Sequence, residues 1–499
     1  VKRLSDKNIC ECLSLQPKKD GFPKKMKINL NQNKNLKLFK TISKVAGENQ
    51  QTVFIVGGFV RDLLMERKAP TDIDFVTEQS GIELAKKVAA GIDPKLKVSV
   101  FKTYGTAMFK HKGLDLEFVG ARKESYSEDS RKPAVEIGSL EDDQKRRDFT
   151  INAMAISLNP ENFGELIDPF NGREDLQQKI LRTPLEPYQT YSDDPLRMMR
   201  AIRFASTLDF EIEEKSLQAI KDEAHRIEIV SMERIMVEFN KMMLSEKPSK
   251  GLKLMEETGL LEIILPELTA LKGIEDINGQ THKDNFYHTL EVVDNISKHT
   301  DHLWLRWSAL LHDIGKAPTK KFVEGIGWTF HGHEFLGSKM IKPIFKRLKL
   351  PLGPEQKFVE KLVRMHARPI ALVTDDTSDA ALRRLLFDAG EDLESLITLC
   401  KSDITTKNYS KQQRFKKNFE YVQQKIKEVE EKDHIRNFQP PISGEEIMAL
   451  FGISPGREIG ILKEKVKEAI LEGDIENDKD QARKFVIQEA EKLGLQVNS

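Results

Sequence analysis

The chain has 499 residues, 39% hydrophobic and 32% charged, a length of roughly two to four domains. No apolar run nears the roughly 18 residues of a membrane helix and no apolar leader opens the chain, so neither a membrane span nor secretion is expected. Lys and Arg number 79 and so do Asp and Glu, which excludes whole-surface attraction to nucleic acid and leaves only local basic tracks. Three cysteines, Cys10, Cys12 and Cys400, are too few for a disulfide framework, so a cytoplasmic protein is expected.

In chain order, residues 1–35 are Lys- and Asn-rich and read as an extension. Residues 36–160 alternate helix and strand, with strands expected at Thr52–Val56, Asp72–Thr77, Val98–Phe101, Thr106–Lys110, Leu114–Gly120 and Ala153–Ser157. That pattern is a small α/β domain with a mixed sheet. Residues 161–274 are helical, with helix periodicity over Pro195–Leu208, Glu214–Ala224, Met232–Leu244 and Ser249–Thr258. A second helical block, 275–405, carries scattered histidines and aspartates. The last part, 406–499, opens with a Lys- and Glu-rich helix, Gln412–Lys432, and restarts after Pro440-Pro441 at a capping-type Ile442-Ser443-Gly444-Glu445-Glu446. The lysine clusters Lys18–Lys27 and Lys411–Lys417 read as solvated charge. The fold class is multidomain: an α/β head followed by an all-α body and an all-α metal-type block.

The richest stretch is Val53-Phe54-Ile55-Val56-Gly57-Gly58-Phe59-Val60-Arg61-Asp62, followed by Thr71-Asp72-Ile73-Asp74-Phe75. Side chains two apart on a strand share a face, so Asp72 and Asp74 converge. Gly57 and Gly58 let the backbone approach a ligand, and a helix start offers N–H groups to an anion. A phosphate cradle beside paired carboxylates suits two-metal phosphoryl transfer. Asp115 and Glu117 lie on another strand and share one face, which can complete a carboxylate metal site. Downstream, Arg147 suits triphosphate oxygens, while Asp148 and Asn152 suit a ribose hydroxyl; the plain alternative makes Asp148 a helix cap. Asp194 and Arg197, read as one helix face, can present a donor and an acceptor to a base edge, with Arg200 reaching phosphate; the plain alternative is a surface ion-pair helix.

In this order the segments resemble the class II tRNA nucleotidyltransferase and bacterial poly(A) polymerase family over about 40–270. The resemblance rests on Gly57-Gly58-x-x-Arg61-Asp62, Asp72-x-Asp74, Arg146-Arg147-Asp148-Phe149-Thr150-Ile151-Asn152-Ala153, Asp168-Pro169-x-x-Gly172-x-x-Asp175-Leu176, Asp194-x-x-Arg197 and Glu233-Arg234-Ile235. It implies that 36–160 is a nucleotidyltransferase head and 161–274 a nucleotide- and RNA-binding neck and body. It further implies that Asp72, Asp74 and Glu117 are the catalytic carboxylates and that Asp72 and Asp74 hold two Mg²⁺ ions. Gly57, Gly58, Arg61, Arg147, Asp148, Asn152 and Arg200 would serve the phosphates and ribose, and Asp194 and Arg197 the base. The implied activity is addition of C, C and then A to the tRNA 3′ end from CTP and ATP. Poly(A) polymerase, or an enzyme adding only C or only A, carries the same motifs and stays open.

A second constellation is Leu310-Leu311-His312-Asp313-Ile314-Gly315-Lys316 with His288, His333, His366 and Asp403. Neutral imidazoles and carboxylates suit a divalent metal. Taken singly, each histidine reads as a packed or surface residue, as His111, His225, His299, His302 and His434 do. Together they resemble the HD superfamily of metal-dependent phosphohydrolases, which implies His288, His312, Asp313 and Asp403 as ligands, His333 and His366 for a second metal, and Lys316 on a substrate phosphate. His331 competes with His333, and the resemblance favours His333. Two readings of other classes remain: a phosphohydrolase whose head only senses nucleotides, and a non-catalytic RNA-binding protein.

Overall fold

The structure is a computed structural model, and it describes residues 26–67, 70–102, 105–127, 130–277, 279–372, 378–406, 408–433 and 439–498. Cys10, Cys12, His434 and most of the Lys18–Lys27 cluster lie outside these residues. The chain divides into two compact units, Val1–Ser125 with Pro133–Gln177, and Tyr126–Lys132 with Gln178–Ser499.

The first unit is built on an eight-stranded mixed sheet. Its strands are β1 (Met26–Lys27), β2 (Phe54–Val56), β3 (Asp72–Thr77), β4 (Ser99–Phe101), β5 (Thr106–His111), β6 (Leu114–Gly120), β9 (Ala155–Ser157) and β10 (Glu165–Ile167), while β7 (Arg122–Ser127) and β8 (Ser130–Ile137) form a separate pair. The order across the sheet is β1-β10-β9-β2-β3-β6-β5-β4. Within this sheet β3 and β6 pair in parallel, because the chain between them passes through helix α3 (Gly81–Ile92) before returning. The sheet takes in Met26–Lys27 and Glu165–Ile167, beyond the strands expected from sequence; a strand of two or three residues carries no alternation to read.

Alternation along the strands decides what each face does. Ile55, Ile73, Phe75, Leu116 and Phe118 face α1 (Leu36–Glu48) and α3, and pack with Phe39, Ile42, Leu84 and Val88 in one buried cluster. Phe75 stacks on Phe118 at 4.8 Å between ring centroids. The opposite face is smaller, with Phe54, Val56, Val76 and Ala155. Asp72 and Asp74 alternate with the core residues of β3, so they stand on this second face, clear of the helices.

The second unit is almost entirely helical. Among the helices are α7 (Pro187–Asp193), α8 (Leu196–Leu208), Met232–Met243 and Pro248–Glu257, followed by Asn285–Ser297, Leu303–Leu311, His333–Arg347, Pro354–Met365 and Leu393–Asp403. The sequence periodicity located the first four of the expected helices to within a residue or two at each end. Phe239 of Met232–Met243 packs on Trp307 at 5.2 Å, and Trp307 donates its indole N–H to Asn240 at 2.9 Å. Arg306, 1% exposed, donates to the carbonyls of Met243 and Ser245 at 2.7 Å each, of Thr300 at 2.9 Å and of Ser297 at 3.2 Å. It thereby satisfies helix-end carbonyls that have no partner within their own helices. The long helix Tyr409–Asp433 takes in the expected charged segment, and Ser443 with Glu446 forms a capping box before Gly444–Phe451. No helix among the described residues is long and apolar enough to cross a membrane.

Candidate active site and metal centre

In the head, the strand β2 ends at Gly57, whose φ of +74° an L side chain rarely adopts. A Cβ there would lie 3.1 Å from Arg147 Nη1 and 3.3 Å from Asp74 Oδ2. The bare backbone, one carboxylate and one guanidinium thus meet at a point. Helix α2 (Gly58–Leu64) follows at once, so its first N–H groups open on the same place.

The parallel register sets Asp72 opposite Asp115 and Asp74 opposite Glu117. Register partners share a face, which brings Glu117 beside Asp74. Burial raises the Asp74 carboxyl above its usual range; Arg147 opposes this, and the charges of Asp72 and Asp143 add to it. Burial and the neighbouring Asp74 likewise raise Glu117. Carboxylates crowded on one sheet face repel one another, and a cation would relieve that repulsion. Hard carboxylate oxygens suit a divalent ion such as Mg²⁺. Asp115 instead pairs with Lys110 at 3.1 Å.

Arg147 is held from behind. Helix α4 (Leu140–Lys145) buries Asp143 completely, and that carboxylate accepts from Arg147 Nε and Nη2 at 3.0 and 2.8 Å and also pairs with Arg146. Burial pushes Asp143 up, but Arg147 and Arg146 outweigh it and hold the carboxyl below its usual range. Asp143 is not among the residues the sequence singles out; it stands three and four residues before Arg146 and Arg147, which follow the end of α4.

Arg61, expected at the phosphates, has protein partners here. It is 8% exposed and donates to Asn152 Oδ1 at 2.9 Å and to Asp62 at 2.8 Å. Asn152 in turn donates to Asp148 at 3.0 Å. Arg61 therefore orients the Asn152–Asp148 pair. Asp148 is not the cap of the short helix α5 (Thr150–Ala153), whose cap residue is Phe149. The segment Asp168–Leu176 is tied down by local hydrogen bonds. Asp168 accepts from the N–H groups of Gly172 and Arg173 at 2.7 and 2.9 Å, which starts α6 (Gly172–Gln178), and Asp175 accepts from Thr150 at 2.6 Å.

In the second unit, Asp194 and Arg197 do not share one helix as expected. Helix α7 ends at Asp193 and α8 begins at Leu196, with Asp194 extended between them at φ −140°. Pro195 disfavours helical backbone at the residue before it, and that rule prevails here. The two residues stay linked, because the Arg197 N–H donates to the Asp194 carbonyl at 2.9 Å and Arg197 Nη1 donates to the Thr190 carbonyl at 3.3 Å. Arg200 lies 3.8 Å from Glu238.

The histidine centre gathers at helix ends. His288 lies in the first turn of Asn285–Ser297, His312 and His366 follow Leu303–Leu311 and Pro354–Met365, His333 opens its helix and Asp403 closes another. Two clusters of donor atoms form: His288, His312 and Asp403, then Asp313, His333 and His366. Asp313 reaches both, with Oδ2 at 3.2 Å from His312 Nε2 and Oδ1 at 3.4 Å from His333 Nε2. His331 stays exposed and outside both clusters. His299, His302, His111 and His225 likewise take no part in either cluster.

The backbone fixes the imidazole tautomers. Nδ1 of His312, His333 and His366 lies 2.8, 3.0 and 2.7 Å from the carbonyls of Ala309, Phe330 and Val363. A carbonyl only accepts, so each Nδ1 carries a proton and each ring turns its Nε2 toward the carboxylates. His312 Nε2, fully buried, makes no hydrogen bond among the described residues. Burial pushes His312 down, but Asp313 and Asp403 outweigh it and raise it to about 10. Burial and the neighbouring His312 charge push His366 down to about 4. Inward Nε2 atoms grouped around Asp313 and Asp403 are a donor set that could hold a metal ion. Gly315 permits the fold here, since a Cβ on it would stand 2.2 Å from the His333 carbonyl oxygen.

Comparison with known proteins agrees with this geometry. The family model described as the poly A polymerase head domain matches residues 53–182, that described as the probable RNA and SrmB-binding site of polymerase A matches 209–272, and the HD domain matches 285–408. The protein is thus of the nucleotidyltransferase class, with a polymerase-type head, a helical body and an HD domain. The A-adding tRNA nucleotidyltransferase of Deinococcus radiodurans is 33% identical over 362 residues, 71% of this chain and 80% of that protein. The CCA-adding enzyme of Anoxybacillus flavithermus is 30% identical over 436 residues, 87% of this chain and 92% of that protein. The chain belongs to the tRNA nucleotidyltransferase family. The crystal structure of the Bacillus stearothermophilus CCA-adding enzyme in complex with CTP shares its fold at a TM-score of 0.65 and 24% identity, over 92% of this chain and 99% of that one.

Proposed function

We propose that the protein adds C, C and then A to the 3′ end of tRNA, drawing on CTP and ATP. The observation that carries this reading is the meeting of Gly57, Asp74 and Arg147 at one point beside Glu117. Asp72, Asp74 and Glu117 are the residues to hold two Mg²⁺ ions, which when bound neutralise triphosphate charge and assist ionisation of the attacking hydroxyl. Gly57, Gly58 and the start of α2 present N–H groups to the phosphates. Arg147, pre-set by Asp143, pairs with triphosphate oxygens. Asp148 and Asn152, oriented by Arg61, take the ribose hydroxyls. By the family resemblance, Asp194 and Arg197 would read the base and Arg200 would serve a phosphate.

The test is a tRNA transcript lacking its 3′ CCA, incubated with Mg²⁺ and with CTP and ATP together and separately. Two C residues followed by one A are expected. Addition of A to a transcript ending in CC, with no addition to one lacking CCA, assigns the narrower activity of the Deinococcus relative, and long A tails assign poly(A) polymerase. No incorporation overturns the reading.

The Asp143→Asn variant removes the tether of Arg147 without touching a metal-holding carboxylate. Its kcat/KM for CTP is expected to fall about 10- to 100-fold, or about 1.4–2.7 kcal/mol, mostly through KM. The folded-state carboxyl lies below its unfolded value of 3.8. Its stabilisation is therefore fully present above pH 3.8 and is lost as pH falls through the lower folded value. Acid titration of the wild type and variant, followed by circular dichroism, should show the difference closing only under strongly acid conditions.

The grouping of the donor atoms into two clusters favours a second activity, metal-dependent phosphoester hydrolysis at the histidine centre. His288, His312, Asp313 and Asp403 would hold one divalent ion, and His333 and His366 with Asp313 a second. His312→Ala is expected to lose at least one bound ion per chain, read by elemental analysis after dialysis against Mn²⁺, while nucleotide addition persists.

A further inference from the structure

The start of α1, the end of α3 and the turn between β5 and β6 border a cleft of about 620 Å³ in the head. Its apolar wall is Leu38, Ile92 and Leu114, which belong to or pack against the buried cluster under the two helices. Asp72 and Asp74 stand on the other face of the sheet, so the cleft is separate from the catalytic carboxylates. Lys34, Lys37, His111 and Lys112 line it, and the three lysines are exposed and make no ion pair among the described residues. One carboxylate, Asp93, also lines it and accepts the Lys95 N–H at 2.9 Å. Lys112 holds a φ of +50° beside Gly113 at +76°, a turn conformation that Asn and Gly adopt more readily. The chain thus keeps a lysine at the cleft against the backbone preference.

The decisive residue is Asn35, the cap position of α1. Its side chain makes no capping bond, so the first N–H groups of the helix lack their usual side-chain acceptor and carry the positive end of the helix dipole. Asn35 is 8% exposed and lines the cleft, and its Nδ2 makes no hydrogen bond among the described residues. Buried donors without acceptors are rare because they are costly. An anion in the cleft supplies one acceptor for the amide, the helix start and the lysines together. The volume is that of a small-molecule site, and no Phe, Tyr or Trp lines it for a base to stack on. We propose that this cleft is a second anion site of the head, taking a small ligand with two or more phosphate charges on Lys37, Lys112, Asn35 and the start of α1.

The probe is pyrophosphate in EDTA, with potassium chloride at equal ionic strength as the control. Amine acylation of the full chain, read lysine by lysine by mass spectrometry, reports on this cleft whatever the catalytic face holds. Pyrophosphate is expected to slow acylation of Lys34, Lys37 and Lys112 and to leave Lys40 and Lys44, farther along α1, at their rate in chloride. Asn35→Asp keeps the shape of the side chain, and Asp serves at a helix start as well as Asn does, but it sets a carboxylate against the anion. Protection should vanish in that variant while its melting temperature holds. Lys112→Asn suits the turn and should raise the pyrophosphate concentration that half-protects Lys37 about tenfold, the loss of one charged hydrogen bond. Equal acylation in pyrophosphate and chloride overturns the site, as does full protection retained in a folded Asn35→Asp variant. Protection by a tRNA transcript and not by pyrophosphate gives the cleft to an RNA backbone and overturns the small-ligand assignment.

Discussion

Asp74→Asn should abolish incorporation of both CTP and ATP, with a loss of at least about 10³-fold in kcat, because several kcal/mol of charge stabilisation depend on its negative charge. The substitution keeps the shape of the side chain and removes one charge from a crowded group that includes Asp72 and Asp143. Relieving that repulsion should leave the head as stable as the wild type or slightly more so. The measurement is a single-turnover assay on tRNA ending in C and, separately, in CC. Equal loss of both additions is the expected result, since one carboxylate set serves every step. Loss of one addition with retention of the other would sink the single-site reading.

Arg306→Ala should cost the helical unit about 4 kcal/mol, by a different mechanism. Truncation leaves the carbonyls of Met243, Ser245, Ser297 and Thr300 without their donor in a place where water has little access, and each orphaned group costs about 1–3 kcal/mol before relaxation. A cavity the size of the lost side chain adds to this. The thermal midpoint of the helical unit is expected to drop by about 10 °C. Arg306→Lys should recover little, because one ammonium cannot reach what a planar fork of five donors reaches. Scanning calorimetry of the two variants beside the wild type decides the matter; a drop of only a degree or two would show that the carbonyls find other partners.

Sequence patterning located β3 and β6 to the residue, because acids at alternate positions between buried aromatics leave only one register for each strand. Asp143 was less visible. It sits in a run of three acids, Glu141, Asp142 and Asp143, and nothing local says which of them turns inward to the arginines; only the packing of α4 on the sheet decides that. The pairing of Met26–Lys27 with Glu165–Ile167 is a contact between distant parts of the chain and leaves no trace in either segment. The break at Asp194 was announced by Pro195 and lost beneath the stronger helical pattern that follows it. At the histidine centre the residue types were legible, whereas their division into two clusters sharing Asp313 depends on where five helices end.

The recurring hydrogen bond from Nδ1 to the carbonyl three residues earlier, at His312, His333 and His366, turns the main chain into a set of ring clamps. A clamped imidazole cannot rotate end for end, so the donor cage exists before any ion arrives and outlasts its departure. Ion uptake then proceeds without reorientation of the rings, and the clamped Nδ1 protons of the buried His312 and His366 should appear as slowly exchanging downfield resonances whose positions move on addition of a diamagnetic ion while their number stays the same.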